Sequence, residues 1–268
     1  MTVPRIAITA PVGPDGAPLV VLGPSLGTSA ILWENAIPLL AERYRVVAWD
    51  LPGHGASPRA TEPFTVADLA DAVAGAVRPL GAERVLYAGV SLGGATGLEL
   101  CLRHPQLVTA AAILASGAQL GSPASWAERA AQVRALSTSS LITASAGRWF
   151  APESIARRPE LSGRLLHSLR ESDDESYALC CDALAAYDVR DGLGEIAVPV
   201  LAAWGEFDAV APEAKSAEVA GGVRDGRAVR IADAAHLPPA EQPEAVAAAL
   251  VGYFSEIERR GADATTTG

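Results

Sequence analysis

The sequence predicts an α/β protein: a mostly parallel central sheet flanked by helices, with a helical cap inserted into it. Three observations carry that reading. Apolar runs of strand length alternate with amphipathic stretches of helix length from Ile6 to Leu114, the rhythm of βαβ units. The alternation stops over residues 122–190, where the apolar spacing is helical and no strand stands out. It resumes at Val198 and closes on an amphipathic helix that ends near Ile257. The division that follows is 1–121 and 191–258 for two parts of one core, 122–190 for the cap and 259–268 for a disordered tail.

The elements follow in order. Ile6–Ala10 and Pro18–Leu22 read as strands around Gly13-Pro14-Asp15-Gly16, strong turn chemistry. Pro24–Thr28 is a loop of small residues. Ser29–Arg43 has helical spacing, with Pro38 as an early break. Arg45–Ala48 is a short strand, and Asp50–Arg59 is a loop. Phe64–Leu80 reads as a helix capped by Thr65, with Asp68 three residues on completing a capping box. Arg84–Val90 is a buried strand, Leu92–His104 a helix stopped by Pro105, and Val108–Leu114 a strand. Beyond the cap come a strand at Val198–Trp204, a helix at Glu213–Ala220, a short strand at Ala228–Ala232 and the closing helix Glu241–Ile257. Arg259–Gly268 is polar and is expected to be disordered.

Composition bounds the function. With 268 residues, 50% of them hydrophobic, the chain can bury one sizeable core. Aromatics are only 5%, and the Ala, Val and Leu that make up the rest suit helices packed on strands. A net charge of −10 repels phosphate backbones and anionic lipid, so neither nucleic acid nor membrane is expected as a partner. No apolar run reaches the roughly 18 residues of a membrane span. Residues 1–16 lack the basic start and clean apolar run of a signal peptide. Cys101, Cys180 and Cys181 offer neither metal-ligand spacing nor a disulfide framework, so a cytoplasmic protein without a metal is expected. The sequence specifies neither a monomer nor a homo-oligomer.

One constellation carries chemistry. Gly89-Val90-Ser91-Leu92-Gly93 matches G-x-S-x-G, a weak pattern alone. Here it lies between a strand and a helix, the context a nucleophile elbow requires. The turn must be sharp for the Ser91 hydroxyl to point away from the sheet, and side chains at 89 and 93 would collide with it. A serine hydroxyl needs a base. Of His54, His104, His167 and His236, only His236 lies late enough in the chain and beside the last short strand; the order Ser, acid, His selects it. The acid belongs in Trp204–Pro212, just past a strand. Asp208 is chosen over Glu206 because the turn at 205–208 aims the later residue at the His loop. An oxyanion hole needs two backbone N–H groups, assigned to Leu92 after the nucleophile and to Leu26 in the small-residue loop.

With those residues in place, the sequence resembles the α/β-hydrolase superfamily over nearly its full length. The resemblance rests on DLPGHGAS at 50–57, GVSLGG at 89–94, WGEFD at 204–208 and AAHLPP at 234–239. Within it the chain looks most like 3-oxoadipate enol-lactonases of the β-ketoadipate pathway, through GPSLGTS at 23–29, RWF at 148–150 and YALCCDALAAYDVRDGL at 177–193. The resemblance implies hydrolysis of 3-oxoadipate enol-lactone in bacterial aromatic catabolism, by a Ser-His-Asp triad through an acyl-enzyme and without metal or organic cofactor. Many relatives have His-Gly where this chain has Pro24–Ser25, but the expected oxyanion donor is backbone. Some members are fused to a carboxymuconolactone decarboxylase domain, so the polar tail would be a severed or vestigial linker.

That small anionic lactone carries a free carboxylate, and on so acidic a chain it needs a local cation, for which a bidentate Arg is suited. Cap candidates are Arg129, Arg134 and Arg148, then Arg157 and Arg158. Arg134 is favoured, one helical turn from Arg129 and Ala130 on a face expected to look inward. Trp149 and Ser25 are expected to touch substrate; Trp126 is a further candidate for the pocket wall, with packing of the cap its plainer role, and Asp50 and His54 shape the 50–59 loop. A general carboxylesterase, a cofactor-free perhydrolase and a non-catalytic ligand-binding receptor of the same fold remain the alternatives.

Overall fold

The computed structural model describes residues 2–266. Six strands, β1 (Leu19–Gly23), β2 (Arg45–Ala48), β3 (Val85–Val90), β4 (Val108–Leu114), β5 (Val200–Gly205) and β6 (Gly226–Ile231), form one sheet in the order β2-β1-β3-β4-β5-β6. Every pairing is parallel. β1 (LVVLG) and β3 (VLYAGV) are buried at every residue. Their unbroken apolar runs fit strands covered on both faces. β6 is an edge strand and alternates, with Arg227 and Arg230 paired to Glu256 and Glu206. The chain runs from β1 outward to β2, then back past β1 to β3. The C-terminal ends of β1 and β3 therefore flank a topological switch point, where open α/β sheets place their ligands.

The helices in chain order are α1 (Ile37–Leu40), α2 (Val66–Val77), α3 (Leu92–Arg103), α4 (Pro123–Leu136), α5 (Ile142–Trp149), α6 (Ser154–Arg157), α7 (Pro159–Glu171), α8 (Asp174–Ala186), α9 (Glu213–Gly222), α10 (Pro238–Glu241) and α11 (Pro243–Thr266). The capping box on α2 forms as expected: the Thr65 hydroxyl oxygen accepts from Asp68 N, and Asp68 accepts from Thr65 N. Helices α4 to α8 stand between β4 and β5, with α4 packed along α8. Among the described residues no helix is long and apolar enough to cross a membrane.

Three expectations are corrected. Ile6–Ala10 is not a strand; that stretch and Val12 touch β2 and Trp49 only through isolated antiparallel bridges. Pro4, Pro11 and Pro14 remove the donors a continuous ladder needs. Ser29–Arg43 is not one helix but a 3-10 turn at Ala30–Trp33 followed by α1, with Pro38 in the first turn of α1. The tail is helical as far as Thr266, and its last two residues lie outside the described residues. Ion pairs of Arg260 with Glu256 and Asp225 hold that extension against the sheet edge.

Candidate active site

Ser91 occupies the single residue between β3 and α3, at φ 54° and ψ −115°. A non-glycine residue there costs on the order of 1–3 kcal/mol, so the surroundings must enforce it. Ser91 N donates to Leu114 O at 2.9 Å, and the Ser116 hydroxyl donates to Ser91 O at 2.7 Å. A Cβ on Gly89 would overlap the Gly93 carbonyl, and one on Gly93 would meet Pro24 O at 2.6 Å. The G-x-S-x-G pattern is thus a steric requirement of this turn.

His236 follows β6 and Asp208 follows β5, and the two meet: His236 Nδ1 lies 3.0 Å from Asp208 Oδ2, with both side chains essentially excluded from solvent. Burial pushes the Asp208 carboxyl up, but the His236 contact and the N–H groups of Ala211 and Val210 outweigh it and hold it below the usual carboxylate range. An ionised Asp208 accepts a hydrogen bond from Nδ1–H, which leaves the Nε2 lone pair free. Glu206 instead accepts from Arg230 and from Asp233 N, away from His236. Ser91 and His236 line one cavity without a direct hydrogen bond between them; such contacts tighten when substrate binds.

The loop after β1 is a tight turn. Thr28 N and the Thr28 hydroxyl both donate to Ser25 O, and Gly27 sits at φ 82°, the glycine position of a type II turn. The turn uses the N–H at its end and leaves that of Leu26 free. Neither Leu26 N nor Leu92 N has a hydrogen-bond partner among the described residues. His54 fixes the turn from below. Its Nε2 accepts from Gly27 N at 3.2 Å, its Nδ1 donates to Pro52 O at 2.8 Å, and its ring stacks on Tyr177. Burial lowers its pKa to about 4, keeping the ring neutral. Asp50 completes the support by accepting from Ala30 N and Ala56 N.

Above these groups lies a cavity of about 170 Å³. Ser25, Leu26, Ser91, Trp149 and His236 line it, with Trp126, Arg129 and Arg148 from the cap. Arg134 does not. It is held outside by Glu175 and Asp182, both at 2.8 Å, and that ion-pair network corrects the choice of Arg134 as substrate ligand. Arg129 lies over the Trp126 ring at 5.2 Å. Two further residues support the site: Ser116, for which the sequence carries no signal, and Glu241, a buried carboxylate at the end of α10. Among the described residues no cluster of His, Cys, Asp and Glu could hold a metal ion.

Comparison with known proteins accords with this geometry. Residues 18–243 match the family model of the alpha/beta hydrolase fold. The chain belongs to the α/β-hydrolase family. With the fold of that family and enol-lactonases among its relatives, it is a carboxylic-ester hydrolase. It is 31% identical to 3-oxoadipate enol-lactonase 2 of Acinetobacter baylyi, over 87% of each chain. It is also 31% identical to a pimeloyl-[acyl-carrier protein] methyl ester esterase of Neisseria meningitidis, over 88% of this chain and 76% of that one. The crystal structure of the enol-lactonase from Burkholderia xenovorans LB400 superposes with a TM-score of 0.89 at 30% identity, covering 93% of this chain and 96% of the other.

Proposed function

We propose that this α/β hydrolase opens a small lactone bearing a free carboxylate, 3-oxoadipate enol-lactone being the substrate that fits, through an acyl-enzyme on Ser91. The observation that carries the reading is the state of the cap arginines. Arg134, Arg158, Arg164 and Arg170 are each paired with a carboxylate, and Arg157 reaches Pro152 O. Among the described residues Arg129 and Arg148 have no carboxylate partner, and both line the cavity above Ser91. An unpaired cation in a cleft of an acidic protein favours an anionic ligand.

In this mechanism His236 Nε2 takes the Ser91 proton as Oγ attacks the lactone carbonyl. The N–H groups of Leu26 and Leu92 receive the oxyanion. Collapse breaks the bond to the enol oxygen, which His236 protonates, and the ring-opened chain remains esterified to Ser91. The enol tautomerises to the ketone. Water then attacks the ester with His236 as base, releasing the second carboxylate. Three buried, unpaired cysteines are compatible with a reducing cytoplasm.

The decisive experiment compares kcat/KM for 3-oxoadipate enol-lactone and for p-nitrophenyl acetate in the wild type and in R129A/R148A. The lactone should be the better substrate, and the double substitution should cost it about 10- to 100-fold more than the neutral ester, as expected for losing a charge-assisted bond. Equal losses on both, or a preference for the acetate in the wild type, would support a general carboxylesterase instead.

A further inference from the structure

We propose that Glu241 is a positioning residue that couples the seating of the cap to the placement of His236. Glu241 is 5% exposed, and among the described residues its carboxylate has no cationic partner. Oε1 accepts from Ala151 N at 2.6 Å and Oε2 from Ala235 N at 2.8 Å. The Ser154 hydroxyl and Leu237 N–H also face it. Ala235 immediately precedes His236, and Ala151 lies two residues beyond Trp149. Between them His236 N donates to Trp149 O at 3.2 Å. Three hydrogen bonds therefore join cap residues 149–151 to residues 235–236, two of them through one side chain.

The chemistry calls for a carboxylate. All four groups turned toward Glu241 are donors, and two of the backbone donors lie on segments separated by more than eighty residues. An ionised carboxylate accepts at both oxygens, whereas a carboxamide must turn an NH₂ toward one of those N–H groups. Burying a charge is costly unless it is fully hydrogen-bonded, and burial does push this carboxyl up while the N–H groups oppose the shift. Arg157 and Arg158 border the same cleft but are engaged with Pro152 O and Glu244. The carboxylate is thus spent on main-chain N–H groups and the Ser154 hydroxyl. Because Arg148 and Trp149 line the substrate cavity just before the clipped segment, a cap that is well seated also holds the base in place.

The test is E241Q, read by three measurements that do not need the substrate's identity. The first is the rate at which a fluorophosphonate labels Ser91, which depends on His236 acting as base. The second is kcat and KM for p-nitrophenyl acetate. The third is amide exchange across 148–152 and 233–237. In a folded E241Q, labelling and kcat should fall by about 10- to 100-fold, the cost of misplacing a catalytic group by an ångström. KM should change less than kcat, and both segments should exchange faster together. Wild-type labelling in a folded but less thermostable E241Q, or faster exchange in one segment only, would overturn the coupling. If E241Q does not fold, E241D keeps the charge but is too short to reach both N–H groups; it should show the same losses in milder form, and wild-type behaviour there also overturns the proposal. Failure of the wild type itself to be labelled would count against Ser91 as nucleophile, a different result from either.

Discussion

His54 to Phe separates the support of the oxyanion turn from the reacting groups. The buried ring has a pKa of about 4 in the fold against an ordinary 6.5, chiefly through burial. As pH falls through 6.5 the unfolded chain takes up a proton that the folded chain refuses until about pH 4. Neutral His54 therefore contributes stability that is complete above pH 6.5 and is lost by pH 4. At about 1.4 kcal/mol per pKa unit, a gap of 6.5 − 4 is worth about 3 kcal/mol. Phe fills the same space and keeps the stack on Tyr177 but cannot titrate. It also strands the buried Gly27 N–H, at about 1–3 kcal/mol. Urea unfolding from pH 8 to pH 4 should show H54F less stable than the wild type at the upper end and the two curves converging, by about 3 kcal/mol, toward the lower. Parallel curves would refute the assignment of a buried neutral His54. Turnover at pH 8 should fall as well, because the turn that presents Leu26 N–H is no longer pinned.

The other expectations concern the site and its frame. Ser91→Ala should abolish ester hydrolysis while leaving the circular dichroism spectrum and melting temperature near wild type. Asp208→Asn should lower kcat by about four orders of magnitude, because an amide cannot hold the Nδ1–H tautomer; steady-state kinetics at saturating ester decides it. Gly93→Ala should destabilise the fold by about 1–3 kcal/mol through overpacking against Pro24, read as a lower urea midpoint with an unchanged slope. Arg134→Ala should leave kcat/KM for an anionic lactone unchanged and cost at most about 1 kcal/mol of stability; a selective loss on the anionic substrate would return Arg134 to the binding site.

The parts of this molecule that were legible in the sequence are those where backbone geometry admits few residue types. The Ser91 turn tolerates nothing larger than glycine at 89 and 93, so strand, motif and helix announce each other. Chain order then leaves one histidine, and Asp208 meets it. The Thr65–Asp68 box is legible for a similar reason. Cap contacts were not, because they depend on which way a helix faces. The buried residues of α4 are Ala130 and Val133. At about 100° per residue, Arg129 and Arg134 project roughly 70° to either side of that line, so spacing alone does not choose between them. The decision came from Glu175 and Asp182 on α8, a long-range contact. Glu241 was opaque for the same reason: it reads as the polar start of a surface helix until the cap backbone arrives beside it. The helical tail depends on Asp225, on another loop.

The seam between cap and core has a consequence for exchange of parts. Besides the Ser154 hydroxyl, what the His236 loop and Glu241 take from the cap is one carbonyl, that of Trp149, and one N–H, that of Ala151. Both are main-chain groups, so the seam constrains the path of a transplanted cap far more than its residues. A different set of helices could be spliced between β4 and β5, with new pocket walls and a new substrate preference, provided that three consecutive residues follow the same track past His236. In that sense the interface works as a connector with two pins, and specificity is free to vary on the far side of it.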